Sequence, residues 1–247
     1  MGVTPGVTSG VTPGSARPGG PLLALAGVSR TYGGYTALHP LDLEVARGEC
    51  VALLGPNGSG KSTLLRIASG RDRPTTGTVT FDGRPLAEED LLTRARVAVV
   101  GDASACYPDL TVREHLMLVA VGHAVDDPAE WVDWALADRH LTEKAGALPS
   151  SLSSGQVQAL LLASALVRPR DLLVLDEPEQ RLDPEARRDL AARIAAETAD
   201  GVCVLVATHH PELARTAAHR VVLLEDGRVV ADGTPDDVLP PPAGGGR

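Results

Sequence analysis

A chain of 247 residues, 43% of them hydrophobic, can bury a sizeable α/β core as one large domain or two small ones. Aromatic residues make up only 2%, so that core must be built from Leu, Val, Ala and Ile. The formal net charge is −9 and there is no basic stripe to neutralise a phosphate backbone, which argues against a nucleic-acid partner.

Residues 1–21 repeat Gly-Val-Thr with Pro or Ser and lack the basic start and apolar stretch of a secretory signal. They read as a disordered tail, as does PPPAGGGR within residues 240–247. Between them, residues 22–239 carry the globular pattern. Leu22–Val28 is a short apolar run, followed by a turn at Gly33-Gly34. Leu38, Leu41, Leu43 and Val45 alternate as a half-buried strand, and Cys50–Leu54 is a continuous apolar run of strand length. Thr63–Ser69 takes helical spacing, and Thr78–Phe81 and Val97–Val100 read as strands. From Thr111 to about Leu141 the pattern is helical, with Trp131 and Trp134 at i and i+3 expected to pack in a core. Gly155–Val167 is a further helix. Leu172–Leu175 and Val202–Val206 are buried strands around a helix at Pro184–Glu197. Asp226-Gly227 marks a hairpin turn. This alternation predicts an α/β fold with a mostly parallel sheet.

The longest apolar run, Ala159–Val167, is interrupted by Ser164 and falls well short of the ~18 residues a membrane span needs. Cys50, Cys106 and Cys203 form no CxxC pair. Cys50 and Cys203 lie in apolar runs and are expected to be small buried hydrophobes, as suits a reducing cytosol.

Lys61 is one of only two lysines, with Lys144, in a chain that otherwise uses arginine. It closes the stretch Gly55-Pro56-Asn57-Gly58-Ser59-Gly60-Lys61-Ser62-Thr63, whose spacing matches the P-loop pattern. The glycines let the backbone curl so that successive N–H groups point at phosphate oxygens, and the following helix adds its positive end. A lysine ammonium on a thin stem can thread to the β- and γ-phosphates where the planar fork of Arg would collide. Ser62 offers a hydroxyl to Mg²⁺, and Thr63 can reach an α-phosphate oxygen. Downstream, LLVLDEPEQRLDP sets Asp176 and Glu177 just after a buried strand. In P-loop enzymes that position faces Mg²⁺, so Asp176 is expected to hold the ion and Glu177 to activate the attacking water.

These motifs, together with the stretch LSSGQ at Leu152–Gln156, resemble the ATP-binding cassette (ABC) ATPase family over most of Leu22–Leu239. The resemblance implies a P-loop NTPase with a RecA-like core, an antiparallel β subdomain and a helical insertion at about residues 103–160. It implies two such domains stacked head to tail, with Ser153, Ser154, Gly155 and Gln156 of one closing over the ATP and Mg²⁺ of the other. Tyr32 matches the aromatic residue that stacks on adenine, with Tyr35 expected to pack instead. Asp183 matches the acidic D-loop residue, and His209 the switch histidine that contacts the γ-phosphate. A metal site at His209-His210 is not expected, because adjacent side chains on a strand point apart. The function implied is that of a cytoplasmic ATPase subunit, a homodimer or a heterodimer, docked on a separate membrane-spanning subunit. CYPDLTVREHL looks most like exporter-type cassettes. The alternatives are a soluble, non-transport ABC ATPase and a nucleotide sensor with weakened hydrolysis.

The chain departs from the family at several points. Ser154 replaces a signature Gly, Val157 and Ala159 replace basic residues, and Glu179-Gln180-Arg181 replaces small residues before the D-loop. The family's Gln after the strand that here reads VAVVG falls on Asp102, and Gln156, Gln158 and Gln180 are too distant to fill the slot. Asp can ligate Mg²⁺, but it is shorter and adds negative charge near the γ-phosphate. Asp102→Gln should therefore change the stimulation of ATP turnover by the membrane partner. If turnover with and without that partner stays as in the wild type, the slot is silent.

Overall fold

The computed structural model describes residues 20–86, 89–101 and 106–241; all of the two terminal tails but residues 20–21 and 240–241 lies outside these, as does Asp102. In chain order the elements are β1 (Leu23–Tyr32), β2 (Tyr35–Val45), β3 (Cys50–Leu54), α1 (Lys61–Ala68), β4 (Thr76–Phe81), β5 (Arg84–Pro85), α2 (Leu91–Arg96) and β6 (Val97–Val100). Then come α3 (Val112–Gly122), α4 (Pro128–Asp138), α5 (Ser154–Leu166), β7 (Leu172–Asp176), α6 (Pro184–Ala199), β8 (Cys203–Ala207), α7 (Pro211–Ala217), β9 (Arg220–Glu225), β10 (Arg228–Gly233) and α8 (Pro235–Val238).

The strands form a six-stranded sheet in the order β10-β9-β3-β8-β7-β6 and a four-stranded sheet in the order β2-β1-β4-β5. In the larger sheet every pairing is parallel except the β9–β10 hairpin, which turns at Asp226-Gly227 with φ +46° and +73°. The smaller sheet is antiparallel throughout.

The apolar runs of β3, β7 and β8 are continuous because both of their faces are covered. Val51, Leu53, Val174 and Leu205 point to one side, where they pack with Leu64 and Ile67 of α1 and with Leu25, Leu38 and Leu43 of the antiparallel sheet. Cys50, Ala52, Leu173, Leu175, Val204 and Val206 point to the other, onto α5, α6 and α7. Cys50 and Cys203 are buried as expected, and burial raises their thiols to about 12 and about 11. Helices α3, α4 and α5 share a separate core of Val112, Leu116, Trp131, Val132, Leu136 and Leu160. The two tryptophans meet edge to face at 5.5 Å. Arg193 of α6 lies over the Trp134 ring and pairs with buried Glu197, which Arg170 also holds at 2.6 Å. One charge network thus ties the helical part to the sheet-packed helices. Among the described residues no helix is long and apolar enough to cross a membrane.

His123 caps the C-terminus of α3. Burial, with a smaller push from Arg168, lowers its imidazole to about 4. The unfolded chain therefore binds that proton first as pH falls, so this contribution to stability is complete above about pH 6.5 and is lost between there and pH 4. Thermal melts should show His123→Gln less sensitive than wild type to acidification from pH 7 to 5, by about 1–2 kcal/mol after solvent screening. Parallel pH profiles would remove His123 from this role.

Candidate functional site

Strands β3, β7 and β8 are adjacent and parallel, so their C-terminal ends lie along one edge. The P-loop leaves β3 at that edge. A Cβ on Gly55 (φ +145°) would sit 2.1 Å from the Leu224 carbonyl oxygen, and one on Gly60 (φ +101°) 2.6 Å from Leu38 and 2.8 Å from the Ala37 carbonyl oxygen. Only glycine meets both the conformation and the space. The Gly227 N–H of the β9–β10 turn donates to the Ser59 carbonyl oxygen at 3.1 Å, bracing the loop from outside.

Lys61 is 5% exposed, and its Nζ donates to the carbonyl oxygens of Gly55 (2.8 Å) and Pro56 (3.0 Å). Its ammonium is thus held at the inside of the curled loop by neutral acceptors, and it forms no ion pair with a carboxylate among the described residues. Helix α1 has no side-chain cap at Gly60 and no acid in its first turn. Uncapped helix-start amides of this kind suit an anion. Ser62 is exposed beside them, whereas Thr63 is buried and its hydroxyl accepts from Arg66 at 3.4 Å. Asn57 and Gly58 are exposed at the loop tip.

Asp176 ends β7 in register with Ala207 of β8. Glu177 follows at φ +47°, held there by its N–H bond to the Ala207 carbonyl oxygen at 2.9 Å. The left-handed backbone turns its carboxylate toward β8, where His209 Nδ1 lies 3.6 Å away. Gln180 Nε2 also donates to this carboxylate. The structure therefore brings Glu177 and His209 together.

His209 and His210 do not point apart, which corrects the sequence expectation. Strand β8 ends at Ala207, so the two-residue alternation no longer applies, and the imidazoles lie 4.3 Å apart at 37°. Behind them sits Glu179, 1% exposed, whose carboxylate accepts from the Thr208 hydroxyl. Sequence reasoning gave Glu179 no role. Its only signal was an acid standing where the resembled family has small residues.

The LSSGQ stretch, Leu152–Gln156, leads into α5. Ser153 is the N-cap: its Oγ accepts from the Gln156 N–H at 3.3 Å, and Gln156 Oε1 accepts from the Ser153 N–H at 3.0 Å. This capping box occupies both polar side chains and leaves Ser153 and Ser154 on the surface. Within the chain the segment's contacts run to the stretch after β7. Gly155 faces the Arg181 carbonyl oxygen, and Gln158 donates to that of Pro178 at 3.2 Å. Asp183 caps α6 through bonds from the Glu185 and Ala186 N–H groups at 2.9 and 2.8 Å.

Tyr32 closes the β1–β2 hairpin opposite Tyr35. Its hydroxyl donates to Asp72 and the Arg30 guanidinium covers its ring at 4.3 Å. Tyr35, expected to pack, is instead 65% exposed, because it sits at the tip of the hairpin, beyond the core-facing residues of β2.

The ABC transporter family model matches residues 38–180. The chain is 39% identical to the Nod factor export ATP-binding protein I of Paraburkholderia xenovorans over 214 residues, which are 86% of this chain and 70% of that one. The chain belongs to the ABC transporter family. Against the SkfA peptide export ATP-binding protein SkfE of Bacillus subtilis, this ABC protein is 36% identical over 85% of its own length and 88% of the relative's. Its fold superposes with a TM-score of 0.80 on a dimeric ATP-binding cassette solved in a post-hydrolysis state with ADP and Pi (28% identical, covering 86% and 98%). The ATP-binding subunit of an ABC transporter gives the same score at 33% identity, covering 87% and 91%. This chain is accordingly a nucleotide-binding α/β cassette and an ATPase.

Gly60→Ala in this ABC cassette should cost at least about 2 kcal/mol through its left-handed φ and the Ala37 contact. It should also weaken ATP binding by displacing Lys61. Unchanged melting and unchanged nucleotide affinity would show that the loop accommodates a side chain there.

Proposed function

We propose that the chain is the ATP-hydrolysing subunit of an exporter, bound to a separate membrane-spanning subunit at the cytoplasmic face of the cell membrane. The observation that carries this reading is the likeness, over more than four-fifths of the chain, to relatives named as export ATP-binding proteins. The absence of a membrane-capable helix among the described residues supports a separate membrane subunit.

In this reading Gly55–Gly60 cradle the triphosphate with backbone amides. Pro56, Asn57, Gly58 and Ser59 shape the loop, and Lys61 leaves its two carbonyl acceptors for the β- and γ-phosphates. Thr63 serves the α-phosphate, and the exposed ring system at Tyr32 the adenine. The hydroxyl of Ser62 and the carboxylate of Asp176 form an all-oxygen, hard donor set, which fits Mg²⁺. Magnesium, when bound, neutralises charge on the β- and γ-phosphate oxygens.

Glu177 orients the attacking water and takes its proton as the water attacks the γ-phosphate in line. Lys61 and His209 hold the charge that develops on the phosphoryl oxygens. The surface-facing amides after Ser153, at a capped helix start, suit the γ-phosphate held by a second cassette. That second cassette is either another copy or a related subunit. Asp183 lies at the same junction, its carboxylate engaged in capping α6. Asp102 lies in the stretch expected to meet the membrane subunit.

Glu177→Gln keeps the shape of the side chain and removes its basicity. It should retain ATP binding and lower turnover at least about 100-fold, in the protein alone and with its membrane subunit. Near-normal hydrolysis by this variant would remove Glu177 from the chemistry.

A further inference from the structure

We propose that Glu179, His209 and His210 form a binding site for a zinc-class transition-metal ion, separate from the Ser62–Asp176 oxygen set. One ligand atom from each of the three lies within 4.8 Å of the other two. Donors around one tetrahedral ion lie about 3–3.5 Å apart, so the widest separation must contract by up to about 1.5 Å. The half-exposed His209 side chain leaves room for that movement.

The observation that points to a cation is Glu179 itself. Its side chain is wholly buried, and while Oε1 accepts from Thr208, Oε2 has no hydrogen-bond donor among the described residues. A buried carboxylate oxygen without a donor is costly and is normally matched by a charge or a hydrogen bond. Among the described residues the cation-capable group nearest to it is His209, whose Nδ1 stands 4.0 Å from Oε1. A metal shared with the two imidazoles would supply the missing charge.

The donor set selects the ion. Two imidazole nitrogens and one carboxylate suit Zn²⁺ and disfavour Mg²⁺, which requires oxygen ligands. Three protein ligands on an open surface leave the fourth position to water. Thr208, fully buried, organises the cluster from behind. Its hydroxyl donates to Glu179 and accepts the His210 backbone N–H at 3.0 Å. One side chain therefore fixes both the carboxylate and the backbone that carries the imidazoles. Glu177, 3.6 Å from His209, adds a second negative charge beside the site.

The consequence for turnover rests on the function proposed above. There His209 serves the γ-phosphate, and an imidazole that ligates a metal cannot do so at the same time. Metal occupancy and ATP hydrolysis therefore compete for one side chain.

The test is calorimetric titration of Zn²⁺ into the full-length, chelator-stripped protein without nucleotide. The wild type should bind one ion per chain, and Glu179→Gln and His210→Ala should each lose at least about tenfold in affinity. Glu179→Gln preserves side-chain volume, and melts of both variants establish that they fold. No binding by wild type, or equal binding by folded His210→Ala, overturns the site. Zn²⁺ should also inhibit Mg-ATP turnover in the wild type, and inhibit it far less in His210→Ala, each as a fraction of its own zinc-free rate. Equal inhibition of the two overturns the competition. Should the protein lack ATPase activity both alone and with its membrane subunit, the function proposed above fails, and the titration still decides the metal site.

Discussion

Cys50, Leu172 and Cys203 begin three adjacent parallel strands whose side chains are buried on both faces. Strands so enclosed can present polar groups only at their ends. Parallel direction puts those ends on one edge, and register decides which residues meet there. Asp176 stands opposite Ala207, so the residues that follow the two strands, Glu177 and Thr208-His209, emerge side by side. A shift of one residue in the β7–β8 pairing would turn alternate side chains to the wrong face and separate Glu177 from His209. The chemistry of the site is thus held by core packing some distance beneath it.

The P-loop meets that edge under a different constraint. Its glycines admit the close approach of Leu224, Ala37 and Leu38, which belong to strands flanking the loop. The loop is therefore wedged between β2 and the β9–β10 turn, and Lys61 is curled back on the carbonyls of Gly55 and Pro56. An arginine at this position would carry a wider, planar head into the same narrow curl. Wedging and curling together fix the Lys61 ammonium at the inside of the loop.

Much of this was legible in the sequence, and the reasons differ by element. Cys50–Leu54 was readable to the residue because a strand buried on both faces has no polar interruption. The β1 strand runs beyond its apolar stretch to Tyr32, since its polar end pairs with β2 and β4. The short elements β5, α2, α7 and α8 had no periodic signal to announce them. Helix α2 is anchored from outside its own pattern, by Arg96 bridging Asp82 at 2.9 Å and reaching Asp171. Lys61, Asp176 and Glu177 stood out because their motif spacing is local. The meeting of Glu179 with Thr208 and the histidine pair did not, because it joins residues 29 apart through the β7–β8 register.

That junction also shows how departures from a pattern can cooperate. Between Asp176 and Asp183 the chain carries two non-glycine residues in the left-handed region, Glu177 at φ +47° and Arg181 at φ +64°. Each such residue costs about 1–3 kcal/mol unless its surroundings enforce it. Here the enforcement is visible: Glu177 is pinned by Ala207 and Gln180, and the turn around Arg181 is closed by the Leu182 N–H bond to the Glu179 carbonyl oxygen at 3.2 Å. Gln180 can reach Glu177 only across this tight turn, and Glu179 can reach Thr208 only on its inner side. The Glu179-Gln180-Arg181 stretch is therefore one rearranged turn rather than three separate substitutions. It converts a segment that small residues would leave bare into one that carries charge against His209.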